Sequence, residues 1–148
     1  MSAGADYMLG DDVSNDAVIV AVAHAYGIPA ARVALLPQGE LHDWPDADVV
    51  LNTTSIPGDY PVLLTTWDSD ERPPEAIAAS LAATLGVTIL VSGESFDPTD
   101  MELVLPDASV HRIWVAQDGD EGFRNTPGMR EFIDAASTQT SQTHVRAA

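Results

Sequence analysis

The chain contains no cysteine among its 148 residues and no lysine, because all six of its basic residues are arginines. The absence of cysteine excludes disulfide bonds, thiolate metal sites and a cysteine nucleophile. The absence of lysine removes the usual ligand of a phosphate-binding P-loop, and the sequence has no Gly-rich phosphate loop. We therefore predict that the protein binds no nucleotide, no other cofactor and no metal.

Long apolar runs are also missing, and none approaches the roughly 20 residues that a membrane-spanning helix needs. The segment from Met1 to Asp12 carries no basic residue and already includes Asp6, which is unlike the basic start of a secretory signal. We therefore expect a cytoplasmic protein that does not associate with membranes.

Acidic residues are in large excess. The 23 Asp and Glu residues face six Arg, which gives a formal net charge of −17. Such a charge repels nucleic acid and accelerates the encounter with a basic protein. The same composition is typical of a solubility charge or of adaptation to salt, since net charge governs solubility and association rather than fold. A basic protein partner and an environmental origin of the charge therefore both stay open.

Three segments carry the start and stop signals of helices. A Ser, a Pro pair and a Thr-Pro pair stand at their starts, and a Gly follows each of the first two. The last segment has an apolar face that includes Met129 and Ile133. We predict helices over residues 14–26, 74–85 and 127–136.

Six apolar runs predict strands, over residues 32–36, 48–54, 60–67, 87–91, 101–105 and 110–115. Pro-containing turns separate the second run from the third and the fifth from the sixth, which indicates two hairpins. The run from Val87 to Val91 is predicted to be the central strand, buried on both faces. The order α-β-β-β-α-β-β-β-α predicts the α+β class. We expect one domain over residues 1–137, a mainly antiparallel sheet with helices packed on one face, and a disordered polar tail over residues 138–148.

One loop combines a histidine with carboxylates, and it consists of His42, Asp43, Asp46 and Asp48. It is the candidate centre of a small metal-dependent enzyme, although a loop this polar is more often simply solvated. None of the four histidines is spaced three or four residues from another, as two metal ligands on one helix would be. We therefore predict no catalytic residue and no enzyme activity.

Two acidic loops each contain a tryptophan, which is a combination suited to a basic protein surface. Aromatic rings bury a large area, and carboxylates accept bidentate hydrogen bonds from arginine. For Trp67 the alternative is that its ring closes one end of the core. The predicted partner-binding residues are Asp43, Trp44, Asp46 and Asp48 in the first loop and Trp67, Asp68, Asp70 and Glu71 in the second.

The succession of helix, strand, acidic turn and hairpin over residues 81–95, 97–98 and 102–115 resembles small bacterial immunity-type proteins. Such proteins neutralise polymorphic or contact-dependent toxins. The resemblance implies a binding protein without catalysis. Together with the charge, it leads us to predict an acidic protein-binding module, an immunity protein or other inhibitor, that blocks a basic partner such as a nuclease toxin. The alternative is a small accessory or structural protein, of the phage or virion type, with environmental acidity. The sequence leaves homo-oligomerisation open.

Overall fold

In this computed structural model the described residues are 5–36, 48–68, 72–92, 100–114, 116–117 and 122–136. They form nine strands and three α-helices. The strands are β1 (Ala5–Leu9), β2 (Val33–Leu35), β3 (Val49–Ser55), β4 (Val62–Asp68), β5 (Ile89–Ser92), β6 (Asp100–Val104), β7 (Val110–Trp114), β8 (Ala116–Gln117) and β9 (Phe123–Arg124). The helices are α1 (Asn15–Tyr26), α2 (Pro74–Leu85) and α3, over residues 127–136.

Seven strands form one sheet in the order β2-β3-β4-β1-β5-β6-β7, and β8 pairs with β9 in a separate ribbon. Only the β2–β3 pair is parallel among the strand pairs of the described residues. The predicted α+β class and the mainly antiparallel sheet are therefore confirmed.

The predicted helices are confirmed, and their ends follow the local signals. The Ser14 side chain accepts a hydrogen bond of 3.2 Å from the backbone N–H of Ala17, which satisfies a free donor of the first turn of α1. Gly27 and Gly86 end α1 and α2 with φ values of 66° and 68°, a region that glycine enters without steric cost. Proline occupies the first position of α2.

Both predicted hairpins are present. Strand β3 pairs with β4 over their whole length, and β6 pairs likewise with β7. Pro61, which has no N–H to donate, stands immediately before β4 and outside the ladder, as its chemistry requires.

The helices lie on both faces of the sheet, which corrects the expectation that all of them pack on one face. Tyr7 and Leu9 of β1 belong to the core beneath α1 and α2. Met8, between them, belongs to a second core that contains Met129 and Ile133 of α3. Since successive strand residues point to opposite faces, α3 covers the face opposite α1 and α2. The alternate apolar residues of the inner strands need cover on each side.

Strand β5 is buried on both faces as predicted, with Ile89 and Leu90 both 0% exposed and Val91 2% exposed. The middle position of the sheet belongs instead to β1, which the sequence did not predict as a strand. Strand β1 pairs with β4 on one side and with β5 on the other. The expected tail over residues 138–148 lies outside the described residues. No helix in the described part of the chain is long and apolar enough to cross a membrane.

Candidate functional site

Three of the predicted partner-binding residues are described, and they lie together. Asp48 directly precedes β3, and Trp67 and Asp68 end β4. The antiparallel register pairs Val49 with Asp68, which places all three at one end of the sheet, here called the upper end. The other predicted residues, Asp43, Trp44, Asp46, Asp70 and Glu71, lie outside the described residues, as does His42.

Asp48 is neutralised by an arginine. Its Oδ1 and Oδ2 accept hydrogen bonds of 3.0 and 3.1 Å from Nη2 and Nε of Arg32. These hydrogen bonds hold the pKa of Asp48 below its usual value. Both side chains remain about half exposed, at 47% and 45%. A metal or a partner's arginine at Asp48 would therefore share this carboxylate with Arg32.

Asp68 joins the sheet to the first helix. The Tyr26 hydroxyl donates a hydrogen bond of 2.7 Å to Oδ2 of Asp68. Burial and this hydrogen bond both raise the pKa of Tyr26. The guanidinium carbon of Arg72 lies 5.5 Å from the centroid of the same ring. Trp67 is half-buried, and the alternation of the strand directs it to the opposite face from Asp68.

The opposite end of the sheet, here called the lower end, comprises residues 10–16, 86–88 and 105–109. It carries four exposed carboxylates, on Asp11, Asp12, Asp16 and Asp107. Among the described residues no arginine forms an ion pair with any of these four. At the upper end, Arg32 is paired with Asp48 and Arg72 lies over the ring of Tyr26.

A cleft of about 540 Å³ opens at the lower end, where residues 10–11, 86–88 and 105–107 meet Ile133 and Ala136 of α3. Most of its wall is apolar, and its only ionised side chains among the described residues are Asp11 and Asp107. We call it the acidic cleft. Its size and its apolar wall are those of a pocket that accepts a side chain or a small molecule.

Close backbone packing shapes one side of the acidic cleft. The N–H of Gly10 donates a hydrogen bond of 2.8 Å to the carbonyl oxygen of Thr88. A Cβ at position 10 would lie only 2.8 Å from that same oxygen, so the approach requires glycine. The turn that carries Asp11 is in this way held against the start of β5.

Hydrogen bonds fix the carboxylate on the other side. Oδ1 of Asp107 accepts bonds of 2.9 Å from the Ser109 N–H and 2.5 Å from the Ser109 hydroxyl. These bonds lower the pKa of Asp107, so its carboxylate is ionised at neutral pH. Ala108, between the two residues, has a φ of 69°, which is strained for a residue with a Cβ.

A histidine and an aromatic ring connect this turn to α3. Nε2 of His111 lies 3.0 Å from Oγ of Ser109, and the His111 ring stacks on Phe132 with centroids 4.2 Å apart. A catalytic triad places the histidine between serine and aspartate. Here the serine stands in the middle, and its hydroxyl donates a hydrogen bond to Asp107. The arrangement therefore stabilises the turn and does not activate a nucleophile. Among the described residues no group of three His, Cys, Asp or Glu is arranged to hold a metal.

Comparisons with protein-family models, with curated proteins and with solved structures find no match for this chain. The resemblance to immunity-type proteins therefore stays a prediction.

Sequence reasoning did not single out the acidic cleft. Its two carboxylates stand in turns, at Asp11 after Gly10 and at Asp107 after Pro106, and the sequence indicates Asp107 only as part of a hairpin connection. The sequence around such a residue indicates that a turn forms there, but not which other turn it will contact. No local pattern indicates that two turns about a hundred positions apart meet beside one helix.

Proposed function

We propose that this protein is an acidic binding module that associates with a basic protein, as an inhibitor of that partner. The observation that carries the proposal is the uneven pairing of charge. At the upper end Arg32 is paired with Asp48. At the lower end Arg130 lies 3.9 Å from Asp59 in the β3–β4 turn, whereas the four carboxylates named above have no arginine partner among the described residues. In the described part of the chain these four carboxylates form an exposed acidic group.

This distribution supports a steering role. The chain has a net charge of −17, and the four exposed carboxylates of the lower end add a local negative field that attracts a positively charged partner as it approaches. A nuclease has a basic surface where it binds phosphates, so an acidic protein can compete for that surface. The inhibitor role rests in addition on the resemblance to immunity-type proteins.

Kinetics at two salt concentrations test the proposal. The immobilised full-length chain would be used to capture partners from the source cells, and each purified partner would be measured at 50 and 500 mM NaCl. We expect a basic partner whose association rate falls by about tenfold or more in the higher salt, because the Debye length shrinks and the field is screened. A neutral protein of similar size serves as the control. The proposal would be contradicted if the tightest-binding partner were acidic, or if the association rate were the same at both salt concentrations.

The inhibitor role has its own readout. If the partner is a nuclease, one equivalent of this protein is expected to abolish cleavage of DNA or RNA. A salt-sensitive complex that leaves the nuclease fully active would show that the binding role is right and the inhibitor role wrong. If the acidity were purely environmental, the protein would have no such partner and its stability would rise with salt.

A further inference from the structure

We infer that the acidic cleft is the anchor pocket for an arginine side chain of the basic partner. This inference rests on the proposed function and names the group that the partner inserts. The cleft is a concave space of about 540 Å³, which exceeds the volume of one long side chain.

The wall of the cleft matches an arginine along its length. Val87, Pro106 and Ile133 offer apolar surface to the methylene stem. Asp11 and Asp107 offer carboxylates to the guanidinium, which forms short charge-assisted hydrogen bonds with such groups. Because no basic side chain of the described residues lines the cleft, an anionic ligand would meet only repulsion there.

Both carboxylates are already oriented before a ligand arrives. Oδ1 of Asp11 accepts a bond of 2.8 Å from the N–H of Asp12, and Oδ1 of Asp107 accepts the two bonds from Ser109. Because a carboxylate has about four acceptor positions, a ligand can bond to either residue without breaking these bonds. Orientation in advance lowers the entropic cost of binding. A planar guanidinium with several fixed donors suits two such acceptors better than the single charged atom of lysine.

The test uses the full-length protein and small probes followed by NMR of backbone amides. N-acetyl-arginine amide is expected to shift the signals of Gly10, Asp11, Thr88 and Asp107 saturably, with a dissociation constant on the order of 1–10 mM, as befits one isolated side chain. N-acetyl-citrulline amide has nearly the same shape without the charge, and it should bind at least fivefold more weakly. N-acetyl-lysine amide should also bind more weakly than the arginine probe.

Two double variants with the same change of net charge provide the matched comparison. Asp11→Asn with Asp107→Asn removes both cleft charges, and asparagine keeps an Oδ1 acceptor for the internal bonds. Asp12→Asn with Asp16→Asn removes two charges from the same end, outside the cleft. We expect at least fivefold weaker binding of the arginine probe to the first variant and less than a twofold change in the second. Equal effects, or equal binding of the citrulline probe, would overturn the inference.

A variant of Arg146 distinguishes occupation of the cleft by the chain's own arginine from occupation by a partner. Ala136 lines the cleft, and Arg146 is ten positions further along the sequence. If Arg146→Gln strengthens binding of the arginine probe several-fold, the pocket is filled by the chain itself, and the assignment to a partner is wrong. If it leaves binding unchanged, the assignment to a partner is supported.

The outcomes for the inference and for the proposed function differ. If a basic partner binds with salt-sensitive kinetics and the two double variants reduce its affinity equally, the proposed function stands and the anchor pocket is wrong. If the arginine probe binds but no basic protein does, the proposed function is wrong. The assignment of the cleft to an arginine of a partner is then wrong as well. Selective weakening of partner binding by the cleft variant supports both.

Discussion

The hydroxyl of Tyr26, the last residue of α1, donates a hydrogen bond of 2.7 Å to the carboxylate of Asp68, the last residue of β4. These residues are 42 positions apart in the sequence, so the bond closes the upper end of the helix against the sheet. A carboxylate that the sequence predicts at a partner surface is thus committed to an internal bond.

Removing this bond should weaken the fold. We expect Tyr26→Phe to lower the free energy of unfolding by about 1–2 kcal/mol, because it removes a hydrogen bond to a partly buried carboxylate. The ring beside Arg72 is retained, so the change isolates the hydroxyl. Urea unfolding at pH 7 measures it. Val20→Ala on the same helix is the control, since Val20 is 60% exposed and its truncation should cost less than about 0.5 kcal/mol. Equal stability of the two variants would contradict the role of the bond.

The tyrosine hydroxyls should ionise at a higher pH in the folded protein than in the unfolded chain. The chain has three, and burial is the largest cause that raises the pKa of Tyr7 to about 12 and the pKa values of Tyr26 and Tyr60 above their ordinary value. In the unfolded chain each ionises near pH 10. Above that pH the folded state binds more tyrosine protons than the unfolded state. The tyrosines' contribution to stability is therefore constant below about pH 10 and falls as pH rises further.

Absorbance of tyrosinate against pH checks this directly. In buffer we expect almost no ionisation at pH 10.5 and a cooperative rise when the protein unfolds, whereas in concentrated urea all three should ionise near pH 10. A tyrosine that titrates near pH 10 in the folded protein would refute the prediction.

One glycine should be irreplaceable. Gly122 has a φ of 76°, and a Cβ there would overlap the carbonyl oxygen of Pro57. This contact seats the β3–β4 turn on the segment leading to α3, where the Tyr60 hydroxyl also donates a 2.6 Å bond to Asn125. We expect Gly122→Ala to destabilise the protein by about 2 kcal/mol or more, through strain and overlap together.

Gly128 offers the matched control for that variant. It lies in α3, and a Cβ there would meet nothing within 4 Å. Gly128→Ala should therefore be neutral or stabilise the protein by up to about 1 kcal/mol, because alanine favours the helix. Thermal unfolding of both variants measures the difference. Similar melting temperatures would show that the approach of Gly122 to Pro57 does not constrain the fold.

Replacing the strained Ala108 in the β6–β7 turn with a residue that tolerates positive φ should stabilise the protein. Ala108 has a φ of 69°, and asparagine tolerates this region better than alanine does. We expect Ala108→Asn to raise stability by about 0.5–1 kcal/mol and Ala108→Val to lower it, because a β-branched residue is disfavoured there. Thermal unfolding distinguishes the two. If Ala108→Val were as stable as Ala108→Asn, the turn would not carry backbone strain.

The helices and hairpins could be predicted because their signals are local. Ser14 and Gly27 delimit α1 through hydrogen bonds made within one turn. The Pro-Gly pair at residues 57–58 and the turn after Pro106 separate strands that pair with their nearest neighbours. The apolar run Val87–Val91 required burial on both faces wherever it lay.

Strand β1 could not be predicted in the same way. Its apolar residues Tyr7, Met8 and Leu9 make a run of only three, and their partners lie in β4 and β5, far along the chain. The side of the sheet that α3 covers was equally inaccessible, since the helix has an apolar stripe that fits either face. Docking of residues 122–126 against the β3–β4 turn accompanies the placement of α3 on the Met8 side.

The sequence by itself determined the class of fold, the helices, the hairpins and the excess of negative charge, because these follow from composition and from patterns within one turn or one strand. Only the tertiary structure decided which of the described carboxylates are paired with an arginine. It set Arg32 against Asp48 at one end and brought Asp11 and Asp107 to one apolar cleft at the other. Both arrangements depend on sheet pairing between distant segments, and a linear pattern does not record which turns will meet.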